Sequence, residues 1–260
     1  MSKEFWLKAA KTIGLTLALG VSMSACSGTS SWKEEVLLHD GSKIIVERSV
    51  DRGGRHEIGQ QPPIKEQSFT FAIPKTNESI TWKSGFSADI GLADFQPLLL
   101  DISSDTAYVV TSLVGCLSYN KWGRPNPPYA IFKYQSKKWQ RIAIQELPAD
   151  IKTPNMIFSS PDNNVEKLGA HFGTRLVKSE MVQEINSTLT QPEYKTILRE
   201  PIKAGTLGTD GSDVNCEVMI RFEDGWADPG YIEMAKRNNL QLQKELERRR
   251  QKAAEPNKHK

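Results

Sequence analysis

Hydrophobic and polar positions between residues 32 and 144 fall into one arrangement used four times: two short runs rich in β-branched and aromatic residues around a few polar turn residues. Trp32–Leu38 and Lys43–Arg48 flank His39-Asp40-Gly41-Ser42, where the Asp-Gly pair supplies the positive φ that a tight hairpin turn needs. Ser68–Ile73 and Ser79–Lys83 lie around Lys75-Thr76-Asn77-Glu78. Pro97–Ile102 and Ala107–Leu113 lie around Ser103-Ser104-Asp105-Thr106, and Tyr129–Tyr134 and Trp139–Ile144 turn through Gln135 to Lys138. Four hairpins predict an α+β protein built on an antiparallel β-rich domain, with helices in its C-terminal third. No motif recurs with them, so a propeller is not expected. Two polar stretches interrupt the pattern. Asp51–Pro63, rich in Gly and Pro, predicts a long mobile loop, and Asn120–Pro128 carries three prolines and a Trp122 expected to be exposed.

From about residue 162 the period becomes helical. Asn163 with Glu166, and Thr190 with Glu193 and Pro192, have the spacing of N-caps with capping boxes. Between them Met181, Val182, Ile185 and Leu189 share one helix face. Cys216–Phe222 reads as a short strand, and Asp228-Pro229 opens a last helix to about Arg250. Its apolar stripe of Tyr231, Met234, Ala235, Leu242 and Leu246 fades toward a basic end. The expected organisation is a leader over 1–25, a tether over 26–31, the hairpin region over 32–160, an α/β remainder of the same domain over 161–235, and a basic helical or disordered tail over 236–260.

Composition adds little to the fold: 38% hydrophobic and 25% charged residues, with a mean hydropathy of -0.47, argue against a multi-span membrane protein. Charge adds more. The formal net charge of +3 hides a basic tail, since nine Lys/Arg stand against three Glu from Lys236 onward, while positions 26–235 carry a net -5.

The N-terminus has the order of an export signal. Lys3, Lys8 and Lys11 precede the apolar run Thr12–Val21, and small residues follow. The uncharged stretch Thr12–Ala25 holds 14 residues, fewer than the ~20 that cross a bilayer core. At its end Met23-Ser24-Ala25-Cys26 resembles the lipobox of bacterial lipoproteins, with Met23 where that family usually has Leu. The resemblance, which covers about a tenth of the chain, implies cleavage before Cys26, diacylation of its thiol and anchorage in membrane lipid. Ser27, where sorting signals place Asp for inner-membrane retention, implies the outer membrane, facing the periplasm. In an oxidising compartment the two other cysteines, Cys116 and Cys216, are expected to pair.

Candidate chemistry is sparse. None of the four histidines has a second ligand-type residue at zinc spacing, so no metal and no cofactor are expected. His39 in its turn and His56 in its loop read as solvated, His259 belongs to the tail, and His171 in Gly169–Gly173 is the one of note. Nucleophile-elbow, zinc-protease and P-loop patterns are absent. Gly205–Asp213 reads as a turn-rich surface loop. Trp122 and Tyr129 are candidates for a partner-binding face, and Arg248, Arg249 and Arg250 for a contact with an acidic partner or lipid. Nucleic acid is not an expected partner of an exported chain. The expectation is a membrane-tethered, non-enzymatic lipoprotein that binds an unknown envelope protein, with an immunity protein or inhibitor as its sharper form. The alternative is an envelope hydrolase or glycan-binding module using Trp122 and His171.

Overall fold

A computed structural model describes residues 28–172, 176–202, 216–222 and 225–254. All four expected hairpins are present. Strand β1 (Thr29–Leu37) pairs antiparallel with β2 (Lys43–Arg52), then β3 (Ile64–Ala72) pairs with β4 (Ser79–Ser84). The short pair β5 (Phe86–Ser87) and β6 (Leu92–Ala93) leads to β7 (Phe95–Ser103) and β8 (Thr106–Leu113). Helix α1 (Gly115–Lys121) precedes β9 (Tyr129–Gln135) and β10 (Lys138–Ile142). The last third holds α2 (Pro161–Phe172), β11 (Leu176–Val177), α3 (Ser179–Ser187), α4 (Pro192–Lys195), β12 (Ile220–Phe222), β13 (Gly225–Ala227) and α5 (Pro229–Ala254).

Turn chemistry sets the register. Gly41 takes the positive φ of the first turn (83°), where Leu38 N–H reaches Ser42 C=O at 2.8 Å. The turns after β7 and β9 are two-residue loops with both φ values positive, Ser104-Asp105 and Ser136-Lys137, the twist that suits right-handed strands. The strands form a five-stranded sheet in the order β11-β1-β2-β3-β4, with β11 parallel to β1, and a four-stranded sheet in the order β10-β9-β8-β7. Pro97 interrupts the ladder of β7, which is tolerable because β7 is an edge strand.

The main core lies between the two sheets. Val36, Val46, Phe69, Ile80 and Trp82 meet Phe95, Leu100, Val109 and Ala130 there. The far face of the four-stranded sheet is covered too, by Leu147, Ile151 and Ile197 against Leu99, Val110 and Ile131. A smaller cluster seats α2 and α3 on the start of the first hairpin, through Val165 and Val182 on Trp32 and Val50. The outer face of the five-stranded sheet stays open, with Lys33, Ile45, Glu47, Thr81 and Lys83 exposed.

Both expected capping boxes fail. Helix α2 begins at Pro161, two residues ahead of Asn163, where Asp162 accepts a two-pronged pair from Arg52. The cap of α4 is Gln191, while Thr190 Oγ1 turns to the Gln191 side chain. Cys216–Met219 is not strand; only Ile220–Phe222 pairs. The last helix starts as expected, with Asp228 Oδ1 accepting the Tyr231 N–H at 2.9 Å and Pro229 at the first helical position.

Candidate functional site

The most unusual cluster of ionisable groups stands where the first hairpin turn meets the second sheet. Asp101 sits in β7 within an apolar run, Leu98 to Ile102, and its carboxylate is buried. A carboxylate in that position requires donors. It has three: His39 Nδ1 at 2.6 Å, the His39 backbone N–H at 3.0 Å and the Ile102 N–H at 2.7 Å. On the other side of the ring, His39 Nε2 lies 3.1 Å from Asp150 Oδ2, whose side chain is 58% exposed. The imidazole is thus held between two carboxylates, and both ring nitrogens have acceptors, which only the protonated ring satisfies with two donors.

The electrostatics agree with the geometry. The Asp101 hydrogen bond raises the His39 pKa above its ordinary value against the opposing effect of burial, with further help from the charges of Asp101, Asp150 and Asp40. Burial pushes the Asp101 carboxyl up from the usual carboxylate range, and the His39 bond holds part of that back. A cleft of about 280 Å³ opens over the cluster, lined by His39, Asp101, Asp150, Lys152, Asn155 and Gln183 among others. Asn155 fixes its floor, because its side chain bonds Leu100 N–H and the carbonyls of Leu37 and Leu100, tying both sheets together. The arrangement can store a proton on an oriented imidazole. With Asp150 swung into solvent, it also exposes Nε2 as a base backed by a buried carboxylate.

His39 keeps the exposed turn position expected from the sequence, yet its ring is not free: it is 18% exposed and held between two carboxylates. The missed signal was Asp101, a lone acid in an apolar strand. The same signal applies to Glu34 and Arg48, which form a fully buried ion pair at 2.9 Å, with Glu34 also accepting from Trp32 Nε1 and the Ile157 N–H.

The other expected site residues disperse. Tyr129 is a core residue rather than a binding-face aromatic: it is 5% exposed, and its hydroxyl donates to the Glu193 carbonyl at 2.8 Å, anchoring α4. Trp122 is half-buried rather than displayed on a loop, because it caps α1, packs on Phe95 at 4.6 Å between centroids and is roofed by the Arg141 guanidinium. Trp139 is partly buried against the main core and donates Nε1–H to the Thr81 carbonyl of edge strand β4. Cys116 in α1 and Cys216 form a disulfide with Cα atoms 5.4 Å apart. Arg248 is exposed on α5. Cys26, the Gly205–Asp213 stretch, and the side chains of Arg249, Arg250 and His171 lie outside the described residues.

Among the described residues, no group of three or more His, Cys, Asp or Glu side chains is placed to hold a metal ion, and no helix is long and apolar enough to cross a membrane. No family model, curated protein or solved structure matches the chain.

Proposed function

We propose that the protein is an exported lipoprotein, anchored through Cys26 in the outer membrane and facing the periplasm, that acts by binding another envelope protein as an immunity protein or inhibitor does. The observation that carries the location is the Cys116–Cys216 disulfide, since such bonds persist in oxidising compartments and are rare in the cytosol. It fits the leader and the Met23–Cys26 motif. For the binding surface, support comes from the end of the molecule that gathers the hairpin turns. Lys75 pairs with Asp105 at 3.0 Å across two of them, Tyr134 reaches Glu78, and the His39 cleft opens beside them. Turns on a rigid sheet scaffold are where recognition residues commonly sit. Mass spectrometry of the membrane fraction is expected to find diacylated Cys26 as the first residue, and a specific protein is expected in pull-downs from solubilised membranes. An unmodified Cys26 in a soluble protein overturns the anchor; repeated recovery of no partner overturns the binding role.

One observation favours the hydrolase reading, in a changed place. His39 backed by Asp101 is an acid–base pair in a cleft, far from the Trp122 loop. A His39→Asn protein that keeps its partner but loses hydrolysis of an envelope polymer would favour it.

A further inference from the structure

The described chain has two distinct ends, and the one where β1 begins has the features of a surface that lies against lipid. Cys26 precedes Thr29 by three residues, so a lipidated thiol stands within about 10 Å of the first strand. Thr29 is paired with Asp51 at the end of β2, and the Asp51–Pro63 connection therefore emerges beside the tether. At the tip of that connection Ile58 is 106% exposed, as open as an isolated residue, next to Arg55 and His56. Phe86, 44% exposed with the Lys65 ammonium over its ring, follows β4, whose last residue, Ser84, pairs with Gln67 near the start of β3.

The base of α5 is fixed at this same end. Gly54 of the connection abuts the Gly91 carbonyl. Gly91 N–H bonds Ser87 C=O, and Ser87 and Asp89 bind Lys121 of α1. Trp226 donates to Asp89, two residues before the cap of α5. The disulfide from Cys116 and the bonds from Asn120 and Arg124 to the Cys216 and Glu217 carbonyls hold the preceding segment against α1.

From that base α5 runs for 26 residues, about 39 Å, with Ile232 buried and most of the remaining described side chains exposed. It carries seven basic and three acidic residues. Tyr231, Met234 and Leu242 form an exposed apolar stripe, and Arg237, Lys244 and Arg248, at i, i+7 and i+11, form a basic stripe alongside it. Glu233 stands beside the basic stripe and pairs with Arg237 at 3.1 Å, Leu240 and Glu247 lie beyond it, and Glu245 falls near the apolar stripe. A thin apolar stripe beside Lys and Arg is the pattern of a helix lying in a headgroup layer.

We propose that this end, with α5, Ile58 and Phe86, rests on an anionic phospholipid surface as a second contact beside the lipidated cysteine. The occupant is lipid rather than an acidic protein because the tether places a bilayer at this end, and because exposed apolar and basic side chains occur together on both the loop and the helix. The proposal rests on the lipoprotein reading, but its test does not need the lipid. The full chain carrying Cys26→Ser is sedimented with vesicles of phosphatidylcholine alone and of equal parts phosphatidylcholine and phosphatidylglycerol. Binding to the mixed vesicles only, reversed by high salt, is expected. The triple variant Arg237→Glu/Lys244→Glu/Arg248→Glu should lose at least about tenfold in partitioning, and Ile58→Asp should lose a smaller factor. Unchanged circular dichroism of the variants excludes misfolding as the cause. Equal binding to both vesicles, no binding, or loss of binding only when a copurifying acidic protein is removed overturns the proposal. A negative mass result for Cys26 lipidation, with vesicle binding intact, overturns the tether and leaves this contact standing.

Discussion

His39 concentrates the titratable chemistry of the described chain in one side chain. Protonated, it gives a hydrogen to a carboxylate at each ring nitrogen; neutral, it keeps one donor and turns a lone pair to the other. Its folded pKa is raised above the ordinary 6.5, so the stabilisation is complete below that unfolded value and is lost as pH rises through the folded one. Asp101 shifts in the same direction, because burial favours its protonated form, so its contribution also falls as pH rises through its folded value. The charged clasp itself needs Asp101 ionised and His39 protonated. His39→Asn is expected to cost about 1.5–3 kcal/mol near pH 6, where a buried carboxylate loses a charged donor, and less near pH 9. Urea denaturation of both proteins at the two pH values measures this, and an equal loss at both would show that no imidazolium is involved.

At the scale of elements, the disulfide decides how the C-terminal third is held. Cys116 and Cys216 are separated by 100 residues, and closing a loop of that length removes about 4–5 kcal/mol of unfolded-chain entropy in the simplest model. Its local effect is more specific. Cys216–Met219 has no sheet to belong to, and its backbone is held by Asn120 and Arg124 side chains and by the bridge. In the Cys116→Ser/Cys216→Ser protein, trypsin is expected to cut beyond residue 216 well before it cuts the sheets, and the urea midpoint to fall. A digestion pattern identical to that of the oxidised protein would place the anchor in the hydrogen bonds alone.

The hairpins were legible in the sequence because each signal was local: alternation on both sides of a turn whose residues tolerate positive φ, as Gly41 and Ser104-Asp105 do. The start of α5 was legible for the same reason, with Asp228 and Pro229 adjacent. What was misread depends on partners distant in the chain. Asn163 lost its capping role because Arg52, 110 residues before Asp162, draws the first turn of α2 into a pair. Tyr129 went to the core because α4, more than 60 residues later, offers its hydroxyl a carbonyl. The exposed His39 has its ring held by Asp101, 62 positions away, a partner its own turn does not reveal. Spacing cannot show such pairs, although the buried acids Glu34 and Asp101 announce that some partner must exist.

Taken whole, the molecule has polarity along its strands. Antiparallel pairing puts the start of β1, the Asp51–Pro63 connection, Phe86, α1 and the disulfide at one end. The turns around Gly41, Asn77 and Ser104 gather at the other, joined by the Lys75–Asp105 and His39–Asp101 pairs. If the first end rests on lipid, the second projects away from the membrane with the His39 cleft, so the two ends face different neighbours. Photo-crosslinking in living cells separates them. A photoreactive residue replacing Ile58 is expected to capture phospholipid, whereas one replacing Ser136 or Asn77 is expected to capture a single protein. These positions are exposed, so the substitutions leave the core intact. Capture of the same protein from both ends would mean a partner that wraps the domain, and lipid captured at Ser136 would mean the opposite orientation.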